Sequence, residues 1–275
     1  MKKRIFLAVI IVLAVCMTAL AGCSGSSPIQ KKLGNSAPWI SLRDKTETTV
    51  YNVVYTEGDV TLSGTYTLVV NRVDNVDVTL QDKNYPSFTG YVATSSLVMA
   101  GGDTIDTKVL CYTTMQVKAS YSKAVTGTKV EEVTAEYANK DKVYYTYVSD
   151  GEPVTDEIKI KDFFSTPYTD NTMLYLLARS FPTDTTSFSI NMPDFKSNKL
   201  NSVLLNKTSS TSELTVGDTS YDVATIELSI NRTFPGKGTP LKCYVSNIAV
   251  GGANNVIVKI IEGNVTYTLD SVTVA

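Results

Sequence analysis

The stretch Val60–Val70, which reads Val-Thr-Leu-Ser-Gly-Thr-Tyr-Thr-Leu-Val-Val, decides the fold class. Apolar side chains alternate in it with threonine and serine, and successive side chains of a β-strand point to opposite faces of a sheet. A strand with this pattern buries one face and exposes the other. The same period of two recurs over residues 109–118 and 132–137. The chain is therefore predicted to be mainly β, with one apolar sheet face.

Short glycine-containing turns separate the strand-like stretches. Glycine beside aspartate or asparagine supplies the positive φ angles that tight hairpins need. Such turns occur at residues 57–59, 101–103, 149–151, 216–218 and 262–264. We therefore expect long antiparallel strands joined as a meander rather than βαβ crossovers. The apolar phase flips near Ala224-Thr225 and near Asp270-Ser271, which predicts bulges that curve the sheet.

One segment departs from the strand pattern and predicts a helix. Thr169-Asp170 offers an N-cap, the apolar residues Met173–Ala178 follow, and Phe181-Pro182 ends the segment. Because this helix is apolar almost all the way round, it should be buried rather than lie on a surface. A rise of about 1.5 Å per residue gives it a length of roughly 18 Å. We expect it to fill the concave face of a curved antiparallel sheet.

The helix segment also carries a family resemblance, which extends from about Tyr144 to the C-terminus. Residues 168–182 read Tyr-Thr-Asp-Asn-Thr-Met-Leu-Tyr-Leu-Leu-Ala-Arg-Ser-Phe-Pro. This order of aspartate, apolar helix, arginine and proline resembles uncharacterised bacterial envelope domains related to the lipoprotein-localisation carriers. A second match is Pro240–Ser246 followed by Val256–Ile260, where Ile257 stands in place of a proline common in that family. The resemblance implies a curved half-barrel that wraps one helix.

The resemblance also implies a kind of ligand. Relatives of known role carry lipids or lipoprotein acyl chains in a cavity between sheet and helix. By this resemblance the chain would be a binding or carrier module for an apolar or lipid-like ligand. The residues expected to line its cavity are Met173, Leu174, Leu177 and Phe181.

The N-terminus has the layout of an export signal. Lys2, Lys3 and Arg4 precede a nearly unbroken apolar run over residues 5–20. Leu20-Ala21-Gly22-Cys23 resembles the lipobox of bacterial lipoproteins, in which the cysteine is lipidated and the chain is cut just before it. Two alternatives remain open at this point, an uncleaved anchor and cleavage after Ala21.

The lipoprotein interpretation divides the chain into three parts. Residues 1–22 are a signal peptide, residues 23–38 are the lipidated Cys23 and a flexible tether, and residues 39–275 are a β-rich domain. A subdomain boundary near residues 139–142 stays open. We expect the protein to be anchored through acyl chains on Cys23 to the extracytoplasmic side of a bacterial membrane.

Composition argues against catalysis and against nucleic acid as a partner. The chain contains no histidine, so the usual general base and the commonest metal ligand are absent. The formal net charge is −2, and the sequence has no stripe of lysine and arginine that could bind the phosphate backbone of a nucleic acid. Neighbouring carboxylates such as Glu131-Glu132 point to opposite faces of a strand and form no catalytic pair. No enzyme, metal site or cofactor is expected.

Two function classes follow from these observations. The first is the non-catalytic binding or carrier module. The second is a structural or interaction lipoprotein with a filled core, which binds an envelope protein or a cell-wall glycan. An open apolar cavity of about 300 to 1,000 Å³ would distinguish the first from the second. Whether Cys111 and Cys243 pair or stay as buried free thiols is left open.

Overall fold

The computed structural model describes residues 28–42, 44–138, 142–160, 167–208, 211–230 and 241–275. Within these ranges the helices are α1 (Pro28–Ser36) and α2 (Leu174–Arg179), with 3₁₀ helices at Pro38–Ser41 and Asn171–Met173. The strands are β1 (Thr46–Glu57), β2 (Val60–Leu80), β3 (Lys83–Met99), β4 (Thr104–Cys111), β5 (Val117–Thr126), β6 (Lys129–Ala138), β7 (Lys142–Ser149), β8 (Glu152–Lys159), β9 (Ser187–Asp194), β10 (Lys199–Lys207), β11 (Ser212–Val216), β12 (Thr219–Ile230), β13 (Leu241–Ser246), β14 (Ile257–Glu262) and β15 (Val265–Val274). The predicted signal peptide and Cys23 lie outside the described residues.

These strands form one antiparallel sheet. Its order is β8-β7-β6-β5-β4-β3-β2-β1-β15-β14-β13-β12-β10-β9, and β11 pairs with β12 beside this path. Strands β1 to β8 are a meander in which each strand pairs with the next, and β1 pairs on its other side with β15. The sheet curls into a nearly closed, barrel-like wall that contains a short helix. The predicted mainly β fold with one buried helix is confirmed.

The hairpins lie where the glycine-containing turns predict them. Gly58 joins β1 to β2 and Gly263 joins β14 to β15, and both have a φ of 57°. This left-handed region costs glycine little because it has no Cβ. The turns at 101–103, 149–151 and 216–218 likewise connect β3 to β4, β7 to β8 and β11 to β12.

The two phase flips have different structural causes. Near Asp270 there is a bulge, because Val50 of β1 lies opposite Ser271 whereas the next residue, Tyr51, lies opposite Leu269. Near Ala224 the predicted bulge is wrong, since the β12–β13 register runs through this position without a shift. There β12 changes partner instead, from β11 to β10.

Helix α2 is held inside the barrel from its first turn. Asp170 caps the preceding 3₁₀ helix, and its Oδ1 accepts a hydrogen bond of 3.0 Å from the backbone N–H of Thr172. Its Oδ2 accepts hydrogen bonds of 2.7 Å from Ser120 of β5 and from Tyr137 of β6. Because Ser120 and Tyr137 are on strands of the wall, the start of the helix segment is fixed to the sheet.

The prediction of a flexible tether over residues 23–38 is wrong for its described part. Residues Pro28–Ser36 form α1, in which Leu33 is fully buried, and the following 3₁₀ helix buries Trp39. Gly34 packs so closely that a Cβ there would lie 2.5 Å from the carbonyl oxygen of Thr113. Polar composition predicted a tether, but the few apolar side chains of this segment are buried by tertiary contacts.

One hydrophobic core joins both halves of the chain. Residues of β5 and β7, such as Val117 and Val143, belong to the same buried cluster as Ile190 of β9 and Ile260 of β14. The hairpin β6–β7 spans the position where a subdomain boundary was left open, and Ala138 pairs with Lys142 across it. Both Cys111 and Cys243 are buried free thiols in this core.

Among the described residues, no helix is both long and apolar enough to cross a membrane.

Candidate ligand-binding site

The two ends of the barrel differ in how they are filled. The end that contains the β4–β5 turn is closed by α1, since Gly34 rests against Thr113 of that turn. The opposite end, which we call the mouth, carries the β1–β2, β3–β4, β5–β6 and β14–β15 hairpins. A cavity of about 510 Å³ lies at the mouth, between the inner face of the sheet and the start of the helix segment. Its volume is in the range typical of small-molecule sites.

Part of the cavity wall is apolar. Leu174, the first residue of α2, and Met192 of β9 are buried there. Leu97 of β3 and Ile105 of β4 are cross-strand partners on the inner wall. Desolvation of such surface is the usual source of affinity for an apolar ligand.

The four residues expected to line a cavity separate into two groups. Leu174 lines the mouth cavity. Met173, Leu177 and Phe181 are buried in the core and are not among its lining residues. The helix runs from the mouth towards the closed end, so only its first turn reaches the open space. Phe181 packs against Phe188, with ring centroids 5.2 Å apart.

Tyrosine rings form one side of the cavity. Tyr66 of β2, Tyr175 of α2 and Tyr267 of β15 meet edge to face, with centroid distances of 5.5 to 5.9 Å. Burial raises the pKa of each hydroxyl above its usual value of 10.0, to about 12 for Tyr267, and the Glu262 carboxylate adds to the effect. These hydroxyls are therefore protonated at neutral pH, and Tyr175 donates a hydrogen bond of 3.0 Å to Glu262.

A row of hydroxyl groups crosses the adjoining part of the wall, beginning on β3 next to Tyr66 of β2. Ser95, Thr107 and Ser122 are register partners on β3, β4 and β5, and all three line the cavity. The side-chain oxygens of Ser95 and Thr107 are 2.7 Å apart and share a hydrogen bond. A hydroxyl both donates and accepts, so this row can pair with either kind of ligand group.

Charged side chains lie at the rim of the cavity. Glu131 accepts hydrogen bonds from Tyr147, at 2.9 Å, and from Lys196, at 3.2 Å, and forms a further ion pair with Lys129. The hydrogen bonds from Lys129, Tyr147 and Lys196 lower the pKa of Glu131 to about 2. This carboxylate is therefore ionised over the whole physiological pH range.

Within the described residues no strand ladder joins β8 to β9; side chains connect the two edges, and β9 forms one isolated backbone bridge, between Asn191 and Tyr168. The strand order ends at β8 on one side and at β9 on the other. Across this seam Asn198 donates a hydrogen bond of 2.6 Å to Asp156, and the rings of Tyr145 and Phe195 are 5.0 Å apart. The β9–β10 turn thus completes the wall of the cavity beside β7 and β8.

A buried ion pair holds the other end of α2. Arg179 donates hydrogen bonds to both carboxylate oxygens of Glu47 on β1, and both side chains are almost completely buried. Its guanidinium also donates to the carbonyl oxygens of Asn254 and Asn255, and it lies 4.8 Å from the ring centroid of Trp39. Both residues make structural contacts, and neither of them lines the mouth cavity.

Among the described residues, no three His, Cys, Asp or Glu side chains cluster so as to hold a metal ion.

Comparison with known proteins adds information on the fold. No protein-family model matches the sequence, and no curated protein matches it. A crystal structure from Brucella abortus, described as a beta-barrel-like protein of domain of unknown function DUF1849, aligns with a TM-score of 0.52 at 9% identity. The alignment covers 84% of this chain and 98% of that chain. The two proteins share a barrel-like fold. At this identity the likeness concerns architecture alone.

The sequence identified one wall of the site better than the others. Leu174 was among the residues expected from the family resemblance to line a cavity, and the all-apolar helix pattern predicted its burial. The tyrosines of β2 and β15 look like ordinary strand residues, and the rim residues Glu131, Asp194 and Glu262 look like solvated strand ends. Only the closing of the sheet brings them together, and no local pattern in the sequence records it.

Proposed function

We propose that this protein is a non-catalytic binding module of a bacterial cell envelope, which holds an apolar, lipid-like ligand in the mouth cavity. The observation that supports it is the cavity itself, about 510 Å³ of space with Leu174, Leu97 and Ile105 in its wall. A structural lipoprotein with a filled core would be packed at ordinary density at this position. The likeness to a barrel-like protein agrees with such a container.

A binding experiment with a neutral apolar dye tests the cavity. The purified protein is titrated with Nile red, and saturable fluorescence with one site per chain is expected. Ile105→Asp places a charge on the inner wall and should weaken binding about tenfold or more, because an apolar ligand would then cover a carboxyl group, which costs desolvation, instead of the isoleucine side chain.

Val98→Asp is the matched control for this experiment. Val98 lies next to Leu97 on β3, so it points to the outer face of the sheet, and its exposure of 50% is close to the 42% of Ile105. It should bind Nile red within about twofold of the unchanged protein. Equal loss in both variants, or no saturable binding at all, would favour the alternative of an interaction lipoprotein that binds an envelope protein or a glycan.

The proposal includes attachment to a membrane through lipid on Cys23. The supporting observation is the order of a basic start, an apolar run and Leu20-Ala21-Gly22-Cys23. Cells that express the chain are fed an alkyne fatty acid, and label should appear on the protein and disappear in Cys23→Ala. Cys16→Ala is the control because Cys16 lies within the signal peptide, so this variant should stay labelled. Label that persists in Cys23→Ala contradicts the anchor.

A further inference from the structure

Three carboxylates mark the rim of the mouth cavity. Asp194 is the last residue of β9, Glu262 is the last residue of β14, and Glu131 is near the start of β6. All three line the cavity. Since the mouth carries the hairpin turns of these strands, each carboxylate lies where a ligand would enter and not at the apolar floor beside Leu174.

The cations near this rim do not balance it. Lys196 is the only lysine or arginine among the described residues that line the cavity, and it pairs with Glu131. Lys129 pairs with the same carboxylate. Within the described part of the chain, neither Asp194 nor Glu262 forms an ion pair. The charge that a ligand meets at the rim is therefore negative.

The inner wall below the rim offers hydrogen bonds without charge. Ser95, Thr107 and Ser122 present hydroxyl groups on three adjacent strands. Tyr175 donates a hydrogen bond to Glu262 through a neutral hydroxyl group, so it adds no positive charge. A carboxylate or phosphate group of a ligand would find no free cation among these groups and would lie near Asp194 and Glu262.

We propose that the mouth cavity selects amphiphiles whose polar group is uncharged or cationic and discriminates against anionic ones such as free fatty acids. This inference rests on the proposed function, and it adds the chemical class of the ligand. The apolar chain packs against Leu174 and the inner wall, and the polar group lies at the rim. Like charges at the rim of a low-dielectric cavity repel strongly at low salt, and added salt screens the repulsion.

Competition against Nile red measures this selectivity. Three compounds with the same dodecyl chain are compared below their critical micelle concentrations: monododecanoylglycerol, dodecylamine and dodecanoate. The glycerol ester and the amine should displace the dye at concentrations about tenfold lower than dodecanoate at low salt. The difference should shrink when the salt concentration is raised to about 0.5 M.

Variants assign the selectivity to the rim. Asp194→Asn with Glu262→Gln removes two negative charges while it keeps oxygen acceptors for Ser197 and Tyr175, so dodecanoate should bind about as well as the ester. Glu213→Gln with Asp222→Asn is the control, because these carboxylates are exposed cross-strand partners outside the cavity lining. The control should keep the selectivity of the unchanged protein.

The outcomes separate the two proposals. If Nile red does not bind, the proposed function fails and the inference falls with it. If the dye binds but dodecanoate displaces it as well as the ester does, only the inference is overturned. A selectivity that survives in the Asp194→Asn, Glu262→Gln protein also overturns it, because the rim carboxylates would then not be its cause.

Discussion

Arg179 shows how one residue connects the helix to the barrel. Its guanidinium binds Glu47 of β1 through both carboxylate oxygens and two carbonyl oxygens of the loop before β14, and it stacks on Trp39. A buried ion pair costs much desolvation, and its net contribution to stability is small when both members are present. The pair also fixes the relative positions of three elements, since Arg179 of α2 contacts both β1 and the 3₁₀ helix that contains Trp39.

Loss of the arginine alone should be severe. Arg179→Met leaves the Glu47 carboxylate buried without a charged partner, and we expect the free energy of unfolding to fall by about 3–5 kcal/mol. Urea denaturation measures it. The double variant Arg179→Met, Glu47→Leu removes both charges and should recover a large part of the loss. A single variant no less stable than the double one contradicts this account of the pair.

At the scale of elements, α1 closes the end of the barrel opposite the cavity. Its side chain Gln30 donates a hydrogen bond of 3.2 Å to the carbonyl oxygen of Tyr168, just before the helix segment, and Lys32 pairs with Asp184 beyond it. Exposed pairs such as Lys32–Asp184 contribute little, so burial of Leu33 and the close approach at Gly34 dominate its attachment.

The close approach at Gly34 can be tested with one methyl group. In Gly34→Ala the new Cβ would lie 2.5 Å from the Thr113 carbonyl oxygen and 2.8 Å from the Thr114 Cα, so backbone must move. Alanine favours helix over glycine, yet we expect a net loss of about 1–3 kcal/mol from overpacking. Thermal unfolding measures it, with the exposed neighbour Asn35→Ala as control. A stabilised Gly34→Ala protein would show that α1 is not docked this way.

The elements also show what the sequence predicts and what it does not. Strands such as β2 and turns such as the one at Gly58 follow from local periodicity and backbone preference, so they were predictable. The helix α1 was missed because its burial depends on Thr113, far along the chain. The acidic rim was missed for the same reason, since Asp194 of β9 and Glu262 of β14 line one cavity only in the folded sheet.

The whole molecule is organised around one sheet and one main core. Core residues from the meander, such as Val109, and from the C-terminal strands, such as Leu228, belong to the same cluster. A smaller cluster around Leu80 and Phe88 lies where the long β2–β3 hairpin extends beyond the main core. Two independent β subdomains would each have a core of their own, so this arrangement predicts a single cooperative unit.

Calorimetry tests directly whether the molecule unfolds as a single cooperative unit. We expect one thermal transition whose calorimetric enthalpy equals the van't Hoff enthalpy, because the halves share buried contacts. The double variant Arg179→Met, Glu47→Leu should lower the midpoint of that transition without splitting it. Two resolved transitions in the unchanged protein would place a domain boundary near residues 139–142 after all.

The pairing of β1 with β15 has a consequence for how the molecule can be made. In the meander β1 to β8 each strand meets its partner as soon as the next strand has been synthesised, so this half has local contacts and can form early. The β1–β15 pair joins the later strands to this half and brings Glu47 of β1 opposite Val274 of β15, more than 200 residues further along the sequence. The wall therefore cannot close until β15 has been synthesised and is free to pair, and before that the edge of β1 has no strand partner on this side.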